Sequence, residues 1–292
     1  MMFESVKENK FKTSFIVVLF FILISLFVYF LTYLFGEDSQ SAFIIATIIA
    51  SITSILSYYF SDKIVIKANH AREATKDEYL ELNEILEALC LGAGIPKPKL
   101  YVMDTDSPNA FATGRNPKNA VVCVTTGLLK KLDKYELEGV IAHELSHIKN
   151  YDILLSTVAT VMVGGISIIA DSISRGFFRS NDDDDEKGNG IMMVIGLIFI
   201  VLAPLFSQLL QLALSRNREY LADSSAVSIT RNKDGLISAL KKISSDQTIV
   251  KTASKASASM YIADPFKRKE RDSLFSTHPS TINRIKKLEN IH

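Results

Sequence analysis

The chain has 292 residues, 48% of them apolar, and a net charge of +1, so no global field draws it to nucleic acid. Two cysteines, Cys90 and Cys123, argue against a disulfide scaffold and suit a reducing compartment. Both sit in apolar surroundings, and neither has the spacing of a zinc ligand.

From Ser14 to Phe35 the chain carries no charge, a run long enough to cross a bilayer core of about 30 Å. Signal peptides have shorter apolar regions and a small-residue cleavage site. After the acidic turn Gly36 to Gln40, a second uncharged run extends from Ser41 to Ser61. Residues 1–61 therefore read as a transmembrane hairpin. Lys7, Lys10 and Lys12 precede it, Lys63, Lys67 and Arg72 follow it, and the turn between has no base. The positive-inside rule places the N-terminus and the chain after residue 61 in the cytoplasm.

Residues 62–153 form the first cytoplasmic part. Thr75-Lys-Asp-Glu78 is a capping box, opening a helix along which Tyr79, Leu82, Leu86 and Leu89 recur at three- and four-residue steps. Gly92, Gly94 and Pro96 end it. Next comes a predicted hairpin: Lys99 to Asp104, Asn109 to Gly114, the polar turn Asn116 to Asn119, and Ala120 to Thr125. The strand holding Asn109, Ala110, Phe111 and Ala112 lies just upstream of the chemistry, where its edge would pair with a substrate backbone.

That chemistry is His143-Glu-Leu-Ser-His147, in a helix predicted from near Lys134 past Asn150. Residues four apart stand on one helical face, so His143 and His147 can both reach one ion. Glu144, one position round, can take a proton from a water without being a ligand. Chance produces His-Glu-x-x-His in roughly one such chain in 200. Val140, Ile141, Leu145 and Ile148 make the helix apolar around the motif, and buried polar side chains require partners.

Residues 154–214 read as a second transmembrane hairpin. Its first apolar run, Ile153 to Ala170, carries small and weakly polar residues suited to helix packing in lipid. The acidic loop 172–190 is a solvated connector. The second run, Ile191 to Leu214, bends at Pro204. It leads without a turn into Glu219-Tyr-Leu-Ala-Asp223, opening the second cytoplasmic part, residues 213–292. A catalytic zinc needs a third protein ligand. Glu219 can supply it, and Asp223, four residues on, can hold the free nitrogen of a ligating histidine.

Four pieces in this order, Asn109-Ala-Phe-Ala-Thr-Gly114, His143-Glu-Leu-Ser-His147, Glu219-Tyr-Leu-Ala-Asp223 and Ser276-Thr-His-Pro279, resemble the HtpX-type membrane zinc endopeptidases. The resemblance implies one Zn2+ per chain on His143, His147 and Glu219, with Glu144 as catalytic base. It also implies that His278 and Arg284 stand near the reacting carbonyl. The activity implied is cleavage of damaged or misassembled membrane proteins at the cytoplasmic face of the cell membrane. The partners are then membrane-protein substrates and the lipid bilayer, with other quality-control proteases or further copies of the chain as further candidates, and no nucleic acid. Two residues depart from the pattern: Asn119 stands where many relatives carry a histidine in the hairpin turn, and Tyr151 where many carry a basic residue.

The expected fold is a mainly α membrane protein with four transmembrane helices. A cytoplasmic zincin-like catalytic domain with a small β-hairpin or sheet is assembled from its two halves, and both termini are cytoplasmic. Two other readings compete: a processing protease for one precursor, for instance a lipidated one, and a non-enzymatic protein with a structural zinc. Structural sites usually close with four protein ligands, and three are evident here.

Overall fold

The computed structural model describes residues 2–34, 39–74, 80–162, 164, 216–253, 256–267 and 279–291. The first uncharged run, as far as Leu34, lies within α1, Met2–Leu34, which packs against α2, Ser39–Tyr59. Outward they expose Phe11, Phe15, Val18 and Leu26 on one helix and Phe43, Ile48, Ile52 and Ile55 on the other. Within α1 the stretch Val6–Leu26 is long and apolar enough to cross a membrane. α2 meets that test only together with α3, Ser61–Ala68, from which it is bent by 72°. Among the described residues there is thus one clear span, where four were expected. The third run is described as far as α7, the apolar helix Asp152–Met162, whose Ile153, Leu155, Val158 and Met162 are buried. The rest of that run (Gly164 excepted), the acidic loop, the fourth run, the predicted capping box and His278 lie outside the described residues.

A mixed four-stranded sheet forms next. β1 is Arg72–Glu73, β2 Lys99–Met103, β3 Ala110–Gly114 and β4 Ala120–Thr125, in the order β1-β2-β4-β3. The hairpin is between β3 and β4, while β2 lies parallel to β4. Its turn is built by Asn116, whose side chain accepts from the Asn119 amide, and by Gly114 at φ 136°. A Cβ at Gly114 would stand 2.2 Å from the Asn119 carbonyl oxygen. β4 is central because every residue of it is buried, the pattern of a strand covered on both faces. The order leaves β3 on an edge.

One face of the sheet meets α4, Leu80–Ala93, and α6, Lys134–Lys149, through Leu86, Val102, Ala112, Val122, Val140 and Ile141. On the other, Phe111, Val121 and Cys123 pack against Val65, Ile66, Met260 and Tyr261. Both cysteines are free and buried. Burial pushes the Cys90 thiol up to about 11 and that of Cys123, between the two layers, beyond the usual thiol range.

The metal helix α6 follows the short α5, Thr126–Lys131, and is covered on its far side by α9, Lys233–Ser245. Here two backbones touch. A Cβ on Gly139 would lie 2.8 Å from the Leu236 nitrogen, and one on Gly235 2.5 Å from the Tyr135 carbonyl oxygen. Alanine in place of glycine gains about 1 kcal/mol of helix propensity. Forcing one more carbon against a packed neighbour costs about 1–3 kcal/mol. The clash wins, since the obstructing atoms are backbone. Gly139→Ala is expected to lower the thermal midpoint of the detergent-solubilised protein. An unchanged or raised midpoint would show that the two helices can spread.

Candidate metal centre

The site is mounted on α6 from its first turn onward. Asp133 caps the helix, accepting from the Glu136 amide, while the Glu136 carboxylate accepts from the Asp133 amide at 2.8 Å. The buried Glu136 also receives Ser238 at 2.6 Å and Lys242 at 2.7 Å from α9. One turn below Gly139, the apolar faces of the helix bury His143 and Glu144 as well. The rings of His143 and His147 meet edge to face, 4.7 Å apart. Opposite them α8, Arg216–Thr230, presents Glu219 and Asp223.

Each imidazole is held from behind by a carboxylate. Asp223 Oδ1 lies 2.9 Å from His143 Nδ1, and Asp152 Oδ2 lies 2.9 Å from His147 Nδ1. Carboxylates only accept, so both Nδ1 atoms carry the proton and both Nε2 atoms are left with lone pairs. Those two Nε2 atoms face each other at 3.1 Å. Glu219 closes the triangle, with carboxylate oxygens 3.7 Å from His143 Nε2 and 3.6 Å from His147 Nε2. All three groups thus offer one ligand atom each within 4.8 Å of one another. Two lone pairs at this separation repel unless a positive centre lies between them. Burial lowers the pKa of His143, assisted by Arg284. Burial would lower that of His147 too, but Asp152 and Glu219 outweigh it and push it up to about 9. With a proton on His147 the contact becomes an N–H···N hydrogen bond to His143; a divalent ion in its place meets both lone pairs and neutralises Glu219 as well.

Glu144 is buried beside this triangle. Desolvation raises its pKa to about 7, against the pull of His147 and a hydrogen bond from the Ala112 amide. The carboxylate is thereby poised to exchange a proton near neutral pH. A cavity of about 30 Å³, room for little more than one water, lies between Ala112, the histidines, Glu144, Glu219 and Met260.

The resemblance implied that Arg284 stands near the reacting carbonyl, and the structure places its Nη2 beside the His143 ring, 3.5 Å from Nε2. Arg284 is buried in α10, Thr281–Glu289. It grips Asp223 with two hydrogen bonds of 2.9 and 2.6 Å and donates to the Ile262 carbonyl at 2.9 Å. Its Nη1 lies 3.8 Å from Glu219, and the residue does not line the cavity. Burial would raise the pKa of Asp223, but Arg284 and His143 hold it well below the usual carboxylate range. His278 lies outside the described residues.

The predicted substrate strand is distributed over both faces. Ala112 lines the cavity, while Phe111 is buried on the opposite side, its ring 5.0 Å from Tyr261. Outward groups of β3 are engaged within the chain. The Ile262 amide donates to the Ala110 carbonyl at 2.9 Å, and Gly114 donates to the Thr157 hydroxyl at 3.2 Å. Asn109 clips this segment to the sheet, its Nδ2 donating to the Ala263 carbonyl at 3.0 Å.

Sequence reasoning missed Asp152, five residues beyond His147, because a continuing helix would carry it off the metal face. Tyr151 breaks the helix at φ 61° and turns Asp152 back. A positive φ at tyrosine has no sequence signature.

Residues 76–292 match peptidase family M48. The chain belongs to that family and is a membrane metalloprotease. It is 45% identical over 286 residues to a Dictyoglomus turgidum protein called a protease HtpX homolog, covering 98% of this chain and 93% of that one. A Listeria monocytogenes protease HtpX homolog is 44% identical over 304 residues, with both chains covered in full, and one from Streptococcus gordonii is 43% identical over 294 residues, with 99% of each covered. The crystal structure of S. mikatae Ste24p aligns with a TM-score of 0.49 at 18% identity, over 98% of this chain and 66% of that one.

Lysine at position 284 would keep the charge but lose the planar fork that grips Asp223. Arg284→Lys is therefore expected to weaken metal binding as well as turnover, measured by metal content and affinity. Full affinity with turnover lost would return Arg284 to the reacting oxygen.

Proposed function

We propose that the chain is a zinc endopeptidase cutting membrane proteins at the cytoplasmic face, with damaged or misassembled proteins as its substrates. The single observation that carries the zinc reading is the pair of facing Nε2 atoms with a carboxylate across from them. Ligand atoms on a tetrahedral zinc, at bond lengths of about 2.0–2.1 Å, stand about 3.3 Å apart. The two Nε2 atoms at 3.1 Å, and Glu219 oxygens at 3.7 Å from His143 (Oε2) and 3.6 Å from His147 (Oε1), lie close to that value. Nitrogen and oxygen donors of this kind suit zinc, and three protein ligands are the catalytic rather than the closed structural number.

Zinc, when bound, makes a water acidic near neutral pH and draws electron density from a substrate carbonyl. Glu144, beside the ligands, would be ionised and ready to accept with a divalent charge held there. Glu144 takes one proton from the water as the oxygen adds to the carbonyl carbon. It then delivers that proton to the amide nitrogen as the carbon–nitrogen bond breaks, leaving a carboxylic acid and an amine. His143 and His147 keep their orientation throughout through Asp223 and Asp152. Arg284 fixes Asp223 and Glu219 from behind. An extended substrate pairing with β3 would meet the backbone of Ala110 and Ala112, in place of the Ile262 amide. His278, two residues before the cap of α10, is assigned to the developing oxyanion.

Cytoplasmic placement rests on Lys7, Lys10 and Lys12 before the first apolar run and Lys63, Lys67 and Arg72 after the second. Glu144→Gln is expected to bind zinc at one per chain and to abolish cleavage of a membrane-protein reporter. The substitution removes a buried carboxylate whose folded pKa is raised. That group weakens folding as pH climbs from the ordinary carboxylate value through about 7. The metal-free Gln variant should accordingly unfold at a higher temperature than the metal-free parent at pH 8. Retained cleavage refutes the base; cleavage insensitive to chelation refutes the metal; and a single cut in a single precursor replaces the quality-control role by processing.

A further inference from the structure

We infer that the first membrane helix is part of the metal centre, with Asn9 as a positioning residue that holds Asp152, and through it His147, in place. Asn9 lies near the start of α1, about five residues before the uncharged run. Its side chain is buried, 3% exposed, and reaches the chain just past the metal helix. One amide group makes three contacts there. Nδ2 donates to Asp152 Oδ1 at 2.6 Å and to the Asn150 carbonyl at 2.9 Å, while Oδ1 receives Arg218 at 3.4 Å.

These partners fix which way the amide points. Turned over, Oδ1 would face a carboxylate and a carbonyl, and the two N–H groups would face a guanidinium. Both donors and the acceptor are matched only in the observed orientation. Asp152 is thus clasped at both oxygens, Oδ1 by Asn9 and Oδ2 by His147 at 2.9 Å. Arg218 adds charge, 3.6 Å from the same Oδ1, and it neighbours the ligand Glu219. Alongside, Lys10 lies 4.4 Å over the ring of Tyr151, the residue whose positive φ turns Asp152 back. Two consecutive residues of α1 therefore grip the turn between the metal helix and the next apolar helix.

The consequence is energetic as well as geometric. A carboxylate behind a ligating imidazole sets its tautomer and raises its basicity, and losing such a partner weakens metal binding about 10- to 100-fold. Asp152 can do this only while its plane is held. Alanine at position 9 leaves Oδ1 with Arg218 alone, and aspartate puts a second negative charge against it.

The inference rests on the zinc reading above, and one experiment separates the two. Zinc affinity is measured by competition with a chromophoric chelator on the full detergent-solubilised chain, and the cobalt(II)-substituted protein gives the visible absorption of the centre. The parent should bind one zinc. Asn9→Ala should bind it about tenfold more weakly, with an altered cobalt spectrum. Asn9→Asp, equal in size and still able to meet Arg218, should weaken it at least as much and serves if the alanine variant does not fold. Thr13→Ala, one turn along α1, removes a buried hydroxyl that donates only to the Asn9 carbonyl, and should leave affinity and spectrum unchanged. Affinities for the Asn9 variants within about twofold of the parent, with the parent spectrum, overturn the positioning role. So does an equal loss in Thr13→Ala, which would mark general damage to the helix. A parent chain that binds no zinc overturns both readings.

Discussion

Two imidazole nitrogens held lone pair to lone pair, 3.1 Å apart, are the constraint around which the rest is arranged. Neither ring can rotate away, because Asp223 and Asp152 each fix the opposite nitrogen. Neither carboxylate can relax, because Arg284 grips one and Asn9 the other. The fold therefore requires a positive centre between the rings, a proton on His147 or a divalent cation in its place. Five stretches far apart in sequence, near residues 9, 143–152, 219–223, 262 and 284, meet to sustain it. A fold that brings them together gains nothing in stability from the pair itself. It gains a site whose affinity for a cation is prepared in advance.

Burying this many charged groups is unfavourable unless each is paired. The arrangement answers with alternation. Arg284 stands between Asp223 and Glu219, and Arg218 beside Asp152, so that each carboxylate behind or beside an imidazole has a guanidinium within 4 Å. Glu144 is the exception: its nearest help is a backbone amide and the neighbouring histidine, and its pKa rises accordingly. The group proposed to move a proton is the one least well compensated, as expected where activity is bought with stability.

How much of this the sequence disclosed follows from the range of the interactions. His143, Glu144 and His147 were legible because one helical turn is a local period, and Glu219 with Asp223 because that same period recurs once the need for a third ligand is recognised. The β3–β4 hairpin was visible in Asn116 and Gly114, whose conformations are set by near neighbours. The parallel placement of β2 against β4 was not, since alternation in each strand is the same for either neighbour; the unbroken apolar run Ala120 to Val124 was the only hint that β4 is central. Asp152 and Asn9 escaped because a left-handed tyrosine and a contact across 143 residues leave no periodic trace. Arg284 was picked out by resemblance, but what it touches was beyond reach of any motif.

The two thiols carry a last implication. Cys90 and Cys123 are sealed in the core, with their ionisation pushed beyond physiological pH, and the ligand set contains no sulfur. Peroxides react with thiolates far faster than with imidazole or carboxylate. Oxidants that attack cysteine-bound metal sites therefore find no thiolate among His143, His147 and Glu219, and a metal held there would be shielded from that route of loss.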